Sequence, residues 1–345
     1  MTPNVTPSLS WREEIPVGEA EAHEALAARL VALQRQRAQT RTLGRALHYR
    51  SFGDPVGVFE VLPGLPSWAQ VGLFASPGRF DALARFSSGN GEPQPDTKPD
   101  ARGLAVKLLG VPGKKLIKGL EDATTFDLVC VLNRTMPART AAEFVGLVET
   151  VASSPLKAPR HFFGAIKLGE VVPVLRRAKD GLSKPVPSLC AVEWHTATPI
   201  RWGAAAVKYG FFPISSVAPA KPPDEDAADR LSQDLRGRLA AGPVVFELRI
   251  QPYIDEAHTP IEDPRVLWED AVSPWLPVAR LTFAQQSLDD EAGRRRRDAV
   301  EGMSFDPWHA PVEFRPLGEI NRARAVAYQE SVIARGASAE PTGLP

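Results

Sequence analysis

Thirty-three prolines spread through 345 residues restrict this chain more than any other feature. Proline cannot donate a backbone hydrogen bond and breaks helix interiors and central strands, so each must fall at an element edge or in a connection. Such a density implies long ordered connections and argues against a helical bundle or a regular alternation of strand and helix. The length suffices for a large core, as one big domain or two ordinary ones. Lysine plus arginine and aspartate plus glutamate each total 41, giving a formal net charge of zero. General binding of nucleic acid or anionic membranes calls for a basic excess, so neither partner is expected. Cys130 and Cys190 lie in apolar surroundings outside any CxxC pair and read as buried thiols, not as a disulfide or zinc framework. No apolar run approaches the length of a membrane span, and Met1–Pro16 lacks the basic-then-apolar order of a secretory signal. A cytoplasmic location without stable membrane insertion is the expectation.

Between the prolines, runs of β-branched and aromatic residues read as strands at Val56–Val61, Leu104–Leu109, Phe126–Leu132, Ala204–Phe211, Val244–Ile250 and Val278–Phe283. Helices are expected from Val17 to about Arg41 and at Thr140–Ala152, Asp224–Ala241, Leu288–Val300 and Glu319–Arg335. Several strands ahead of terminal helices suggest an α+β chain built round an antiparallel sheet or barrel. The run Arg294–Arg297 is flanked by Asp289, Asp290, Glu291, Asp298 and Glu301, which makes it a solvated helix face. The last ten residues, Gly336–Pro345, are small and polar and are expected to be flexible.

The chemistry starts on the last helix. Arg324 and Tyr328 are four apart, so they share a face one turn apart. A guanidinium beside a phenol favours the phenolate, a hard oxygen donor suited to ferric iron and one of the few protein axial ligands of haem. The alternative is an amphipathic surface helix with an incidental pair. Farther upstream, Arg45-Ala46-Leu47-His48-Tyr49-Arg50 places a histidine between arginines. Arg85-Phe86-Ser87, Asp96-Thr97-Lys98-Pro99-Asp100-Ala101-Arg102-Gly103-Leu104-Ala105-Val106-Lys107 and Phe126-Asp127-Leu128-Val129 follow in that order.

Taken together these segments resemble the catalase superfamily, across roughly residues 40–336. Phe246-Glu247-Leu248-Arg249-Ile250-Gln251 and Leu267-Trp268 are similar to further elements of that family. The resemblance implies a catalase-like antiparallel β-barrel with surrounding helices, and a haem b with ferric iron buried between the barrel and the C-terminal helix. It further implies Tyr328 as the iron ligand, with Arg324 keeping it anionic, and His48 as the catalytic residue on the opposite side, oriented by Ser87. Arg45, Arg85 and Arg335 match the arginines that pair with the haem propionates, a role suited to bidentate guanidinium–carboxylate geometry. For Arg335, a helix C-terminal charge is the rival role.

Departures from the family pattern shape the expected activity. A gapless match puts Leu132 where catalases carry the distal asparagine, and Asn133 falls one residue later, on the other side of a regular strand. Loss of that amide implies poor disproportionation of hydrogen peroxide and better acceptance of an organic or lipid hydroperoxide. The resemblance therefore implies a haem-dependent hydroperoxidase, closer to the small catalase-related peroxidases, working with a small-molecule electron donor. A non-catalytic haem-binding protein and a hydroperoxide-rearranging enzyme of the allene oxide synthase type are the alternatives. The expected organisation is an N-terminal arm and helix over 1–41, a haem-binding domain over 42–336 and a flexible tail over 337–345, in a monomer or homodimer.

Overall fold

The computed structural model of the protein describes residues 5–39, 44–152, 166, 168–182, 186–221, 223–337 and 339–345. Ten strands form one antiparallel sheet: β1 (Ser51–Gly53), β2 (Val56–Val61), β3 (Arg79–Ser87), β4 (Gly103–Leu109), β5 (Thr125–Val131), β6 (Trp194–His195), β7 (Ile200–Trp202), β8 (Ala205–Ser216), β9 (Val244–Pro252) and β10 (Leu276–Phe283). Eight of them close on themselves in the order β3-β2-β10-β9-β8-β6-β5-β4 and back to β3, while the short β1 and β7 pair with β3 and β8 beyond this ring. The closing seam runs from Ala82 opposite Leu108 to Ser87 opposite Gly103. Closure satisfies strand edges that would otherwise template aggregation. The expected α+β barrel is therefore the observed architecture.

Alternation along the strands fills the barrel. Strand β2 alternates strictly, turning Gly57, Phe59 and Val61 inward. Phe86 meets Trp194, Phe283 and Phe246 with ring centroids 5.7, 6.2 and 6.5 Å apart. Each such aromatic pair adds about 0.5–1.5 kcal/mol to simple area burial. A second aromatic group, Phe74, Trp202, Phe314 and Phe126, closes one end.

Helices surround this core: α1 (Glu19–Arg37), α2 (Ala141–Ala152), α3 (Val171–Leu182), α4 (Arg230–Ala241), α5 (Glu291–Gly302) and α6 (Glu319–Arg335). Two start later than composition suggests. Helix α4 begins at Arg230, where the distant Asp96 carboxylate accepts the Leu231 N–H at 2.8 Å, a cap that local sequence cannot reveal. Helix α5 begins after Asp290, whose side chain accepts the Gly293 N–H at 2.7 Å. The arginine run on α5 is not wholly solvated, because Arg296 turns inward to the Asp54 carbonyl at 2.9 Å.

Helix α6 is anchored at both ends. Near its start Arg322 binds Glu19, Glu13 and Glu262 at 2.6, 2.8 and 2.9 Å. Beyond its end, the segment expected to be flexible is held by Glu340. That carboxylate meets Lys107 at 2.6 Å and the Thr125 and Ser304 hydroxyls at 2.8 Å. Lys107 is 0% exposed, so its charge demands counter-ions, and the tail supplies one beside Asp127. The expected boundary between residues 41 and 42 lies outside the described residues. Among the described residues, no helix is long and apolar enough to cross a membrane.

Candidate functional site

A cavity of ≈ 240 Å³ lies between the barrel and α6, against the ~10–15 Å³ that a single water needs. Arg45, His48, Arg85, Ser87, Arg324, Tyr328 and Arg335 all line it. Residues separated by up to 290 positions in sequence thus face one space.

His48 sits on a strained turn, with φ at 55° in the left-handed region that side chains other than glycine seldom adopt. The surroundings hold it there. Its N–H donates to the Gly89 carbonyl at 3.1 Å, and Arg85 donates to the carbonyls of His48 and Tyr49, both at 2.9 Å. Its Nδ1 lies 3.0 Å from the Ser87 hydroxyl, leaving Nε2 as the nitrogen available for proton transfer. A glycine at 103 is required, because a Cβ there would stand 2.7 Å from the imidazole Cε1 and 3.2 Å from the Ser87 oxygen. Burial, reinforced by the charges of Arg85, Arg324 and Arg45, pushes the His48 pKa down to about 3. The imidazole is therefore neutral at physiological pH, as a proton acceptor must be.

On α6, Arg324 donates to the Tyr328 hydroxyl at 3.1 Å and, through its other nitrogen, to the Asn321 amide oxygen at 3.1 Å. Asn321 is fixed in turn by donating to the carbonyls of Pro199 and Leu317, both at 3.0 Å, and by accepting from the Thr198 hydroxyl at 3.2 Å. Burial opposes the Arg324 charge, yet the Tyr328 oxygen, with Tyr209 and Asp306 farther off, raises its pKa above the usual value.

The remaining arginines converge on the end of α5. Arg45 and Arg85 reach the Glu301 carboxylate at 2.5 and 3.1 Å. Arg45 and Arg335 both donate to the Met303 carbonyl, at 2.8 and 2.5 Å. So Arg335 does meet helix-end carbonyls, but those of α5, not of its own helix. Two guanidiniums reach this carboxylate and a third sits beside it on the Met303 carbonyl, while Asp54 nearby is pushed up to about 6, chiefly by burial. Burial, with repulsion from the charges of Arg85 and Arg335, lowers the Arg45 pKa well below normal, with Glu301 opposing. The cluster carries surplus positive charge that a dianionic group would neutralise. Paired propionates have that charge, a phenol stands on the helix side, and the other lining residues are mostly apolar, so the residues present fit the haem that the resemblance implies.

Sequence reasoning missed several contributors. Leu26, Ala27 and Leu30 of α1 line the cavity, so the helix placed outside the core forms one of its walls. Glu301 and Asn321 organise the arginines, and only the i, i+3 spacing of Asn321 to Arg324 hinted at either. On β5 the cavity is lined by Val129, Cys130 and Val131, whereas Leu132 is packed in the core. Asn133 turns toward Gly181 of α3. Among the described residues, no amide side chain lines the cavity.

No family model matches the chain. A catalase-related peroxidase of Mycolicibacterium paratuberculosis is 28% identical over 280 residues, which cover 75% of this chain and 81% of the relative. A fungal catalase structure aligns with a TM-score of 0.66 at 17% identity, covering 97% of this chain and 66% of that one. Catalase A from Saccharomyces cerevisiae aligns with a TM-score of 0.64 at 17% identity, covering 96% and 68%. The chain thus spans about two thirds of the length of these catalases. The barrel and its flanking helices have the catalase fold. In sequence and in size the chain is similar to that catalase-related peroxidase, and in fold to the catalases.

Proposed function

We propose that this catalase-like protein is a haem-dependent peroxidase whose preferred substrate is an organic or lipid hydroperoxide. The observation that carries the reading is one cavity with the His48–Ser87 pair on the barrel side and the Arg324–Tyr328 pair on α6. Tyr328 would hold the ferric iron of haem b, and Arg45, Arg85 and Arg335 would hold its propionates. Bound there, haem supplies the redox centre at which a peroxide O–O bond is cleaved.

The chain's own residues supply positioning and proton transfer. Neutral His48 takes the proton from the hydroperoxide oxygen at Nε2 and returns it to the departing oxygen, help worth ~10²–10⁴-fold. Ser87 fixes the ring plane through Nδ1 and takes no part in the proton transfer at Nε2. Arg324 keeps the Tyr328 oxygen oriented and its negative charge compensated. The net reaction consumes one hydroperoxide with two electrons and two protons from a small-molecule donor, releasing an alcohol and water. Disproportionation of hydrogen peroxide needs a second peroxide to be held and oxidised. A cavity without an amide donor, walled by Val131, Leu26 and Leu30, favours apolar hydroperoxides instead.

The test is steady-state turnover of the haem-loaded protein with cumene hydroperoxide and with hydrogen peroxide, using a phenolic donor. A kcat/KM at least tenfold higher for cumene hydroperoxide is the expected result. If both peroxides survive while the haem bleaches, the protein is a haem carrier and the enzymatic reading is lost.

A further inference from the structure

Thr196 lines the main cavity and also a second, much smaller one of ≈ 10 Å³, room for about one water-sized sphere. Its walls include Arg134, His195, Lys208, Trp268 and Trp275. Lys208, on β8, is 4% exposed. Among the described residues it has no carboxylate partner; its ammonium touches the Val266 carbonyl at 3.5 Å and the face of Trp268 at 4.9 Å. The Trp268 indole N–H, in a residue only 1% exposed, has no acceptor.

The neighbouring carboxylates are committed elsewhere. Asp270 pairs with Arg134, Glu193 with His195 at 3.3 Å, and Asp263 with Arg265 at 2.7 Å. The Trp268 carbonyl already accepts from Arg134 and Gln251, both at 2.9 Å. An enclosed cation and a residue with an unused N–H therefore border a space that a single particle can fill. An unpaired buried ammonium is costly, and so is an orphaned donor. Water would satisfy the donors but leave the charge uncompensated.

We propose that the space between Lys208 and Trp268 binds a monovalent anion of chloride or bromide size. This site is separate from the proposed haem site and does not depend on its assignment. Burial, helped by Arg134 and opposed by Asp263, pushes the Lys208 pKa down to about 7. An anion favours the ammonium form, so binding strengthens below that pH and fades above it. Of the other charged or titratable groups on this side, His195, Glu193 and Asp270 are already paired with one another or with Arg134, and the Tyr209 hydroxyl accepts from the Val129 N–H at 2.9 Å.

Thermal melting of the purified protein in sodium bromide, against sodium gluconate at equal ionic strength, tests the assignment alongside anomalous diffraction from bromide-grown crystals. A saturable rise in Tm at pH 6 that shrinks at pH 8.5, with an anomalous peak beside Lys208, is expected. Trp268→Phe keeps the ring, removes the N–H and should weaken bromide about tenfold, the worth of one charge-assisted hydrogen bond. Lys208→Met should abolish the effect; if that variant does not fold, Trp268→Phe and the diffraction data still decide. Identical melting in bromide and gluconate, or an ordered water with no anomalous signal, overturns the proposal.

Discussion

Arg324 donates to the Tyr328 hydroxyl at 3.1 Å across one turn of α6, and the same guanidinium is braced from behind by Asn321 at 3.1 Å. The phenol therefore meets the cavity with a fixed orientation and a neighbouring cation. Tyr328→Phe removes the oxygen but not the ring, and should lower haem affinity at least tenfold and abolish the phenolate signature in the visible spectrum. Asn321→Ala should leave haem bound but disturb that spectrum, since Arg324 loses its brace. Full haem content with an unchanged spectrum in Tyr328→Phe would remove Tyr328 as iron ligand.

His48 gives the protein a dependence on pH that can be read without haem. Its native pKa is held near 3, against an ordinary value of 6.5. Below 6.5 the unfolded chain takes up a proton that the folded chain refuses, so this residue's contribution to stability falls as pH drops from about 6.5 toward 3. His48→Gln should flatten the acid limb of stability measured by urea unfolding between pH 7 and 4. In the haem-loaded enzyme the same variant should lose ~10²–10⁴ of peroxide cleavage with haem retained. Unchanged turnover in His48→Gln contradicts its role as acid–base group.

Much of this site could be read in the sequence because its parts ride on local patterns. Arg324 and Tyr328 share a helix face, and Ser87 and Gly103 lie opposite each other at the end of the β3–β4 seam. What could not be read depends on how distant segments meet. Nothing local marks Leu26 and Leu30 as cavity wall, or Glu301 as the carboxylate between two arginines. A gapless match pointed to Leu132 at the missing amide, but pleat and register bring Val131 to the cavity. Composition marks Gly336–Pro345 as small and polar, but it cannot register that Glu340 meets Lys107.

Gly103 offers a separate handle on the imidazole. Adding a Cβ there puts a methyl 2.7 Å from His48 Cε1, closer than carbon atoms pack. Gly103→Ala should rotate or displace the ring, at about 1–3 kcal/mol of stability, a usual cost of overpacking. Peroxide cleavage should fall while haem content holds. Wild-type activity in this variant would show that the ring's place does not matter.

Substrate preference should respond to one residue on β5. Val131 lines the cavity, and Val131→Asn would return an amide donor to it. A hydrogen bond worth about 1.4 kcal/mol corresponds to about tenfold in rate. The ratio of kcat/KM for hydrogen peroxide to that for cumene hydroperoxide should rise by about that factor. A falling or constant ratio would show that the preference is set elsewhere, with Leu26 and Leu30 of α1 the next residues to alter.

The C-terminal tail is pinned beside α6. Glu340 lies between Lys107, Thr125 and Ser304, five residues beyond Arg335, and so fixes the far end of the helix that carries Tyr328. Burial alone would raise the Glu340 pKa, but Lys107 and His309 outweigh it and hold it below the ordinary value. A carboxylate lowered in this way stabilises the fold above the unfolded-state value and loses that contribution as pH falls through the folded one. Asp127 behaves oppositely: burial, with Glu340 beside it and Lys107 opposing, pushes it up to about 7, so it takes up a proton first on acidification. Removing one partner of a buried pair costs ~3–5 kcal/mol, and Glu340→Gln should fall at the low end because Asp127 still faces Lys107. Urea unfolding at pH 7.5 reads that cost, and deletion of residues 338–345 should match it. If both variants unfold like wild type, the tail does not hold α6, and the position of Tyr328 must be set by Arg322 and Asn321 at the other end.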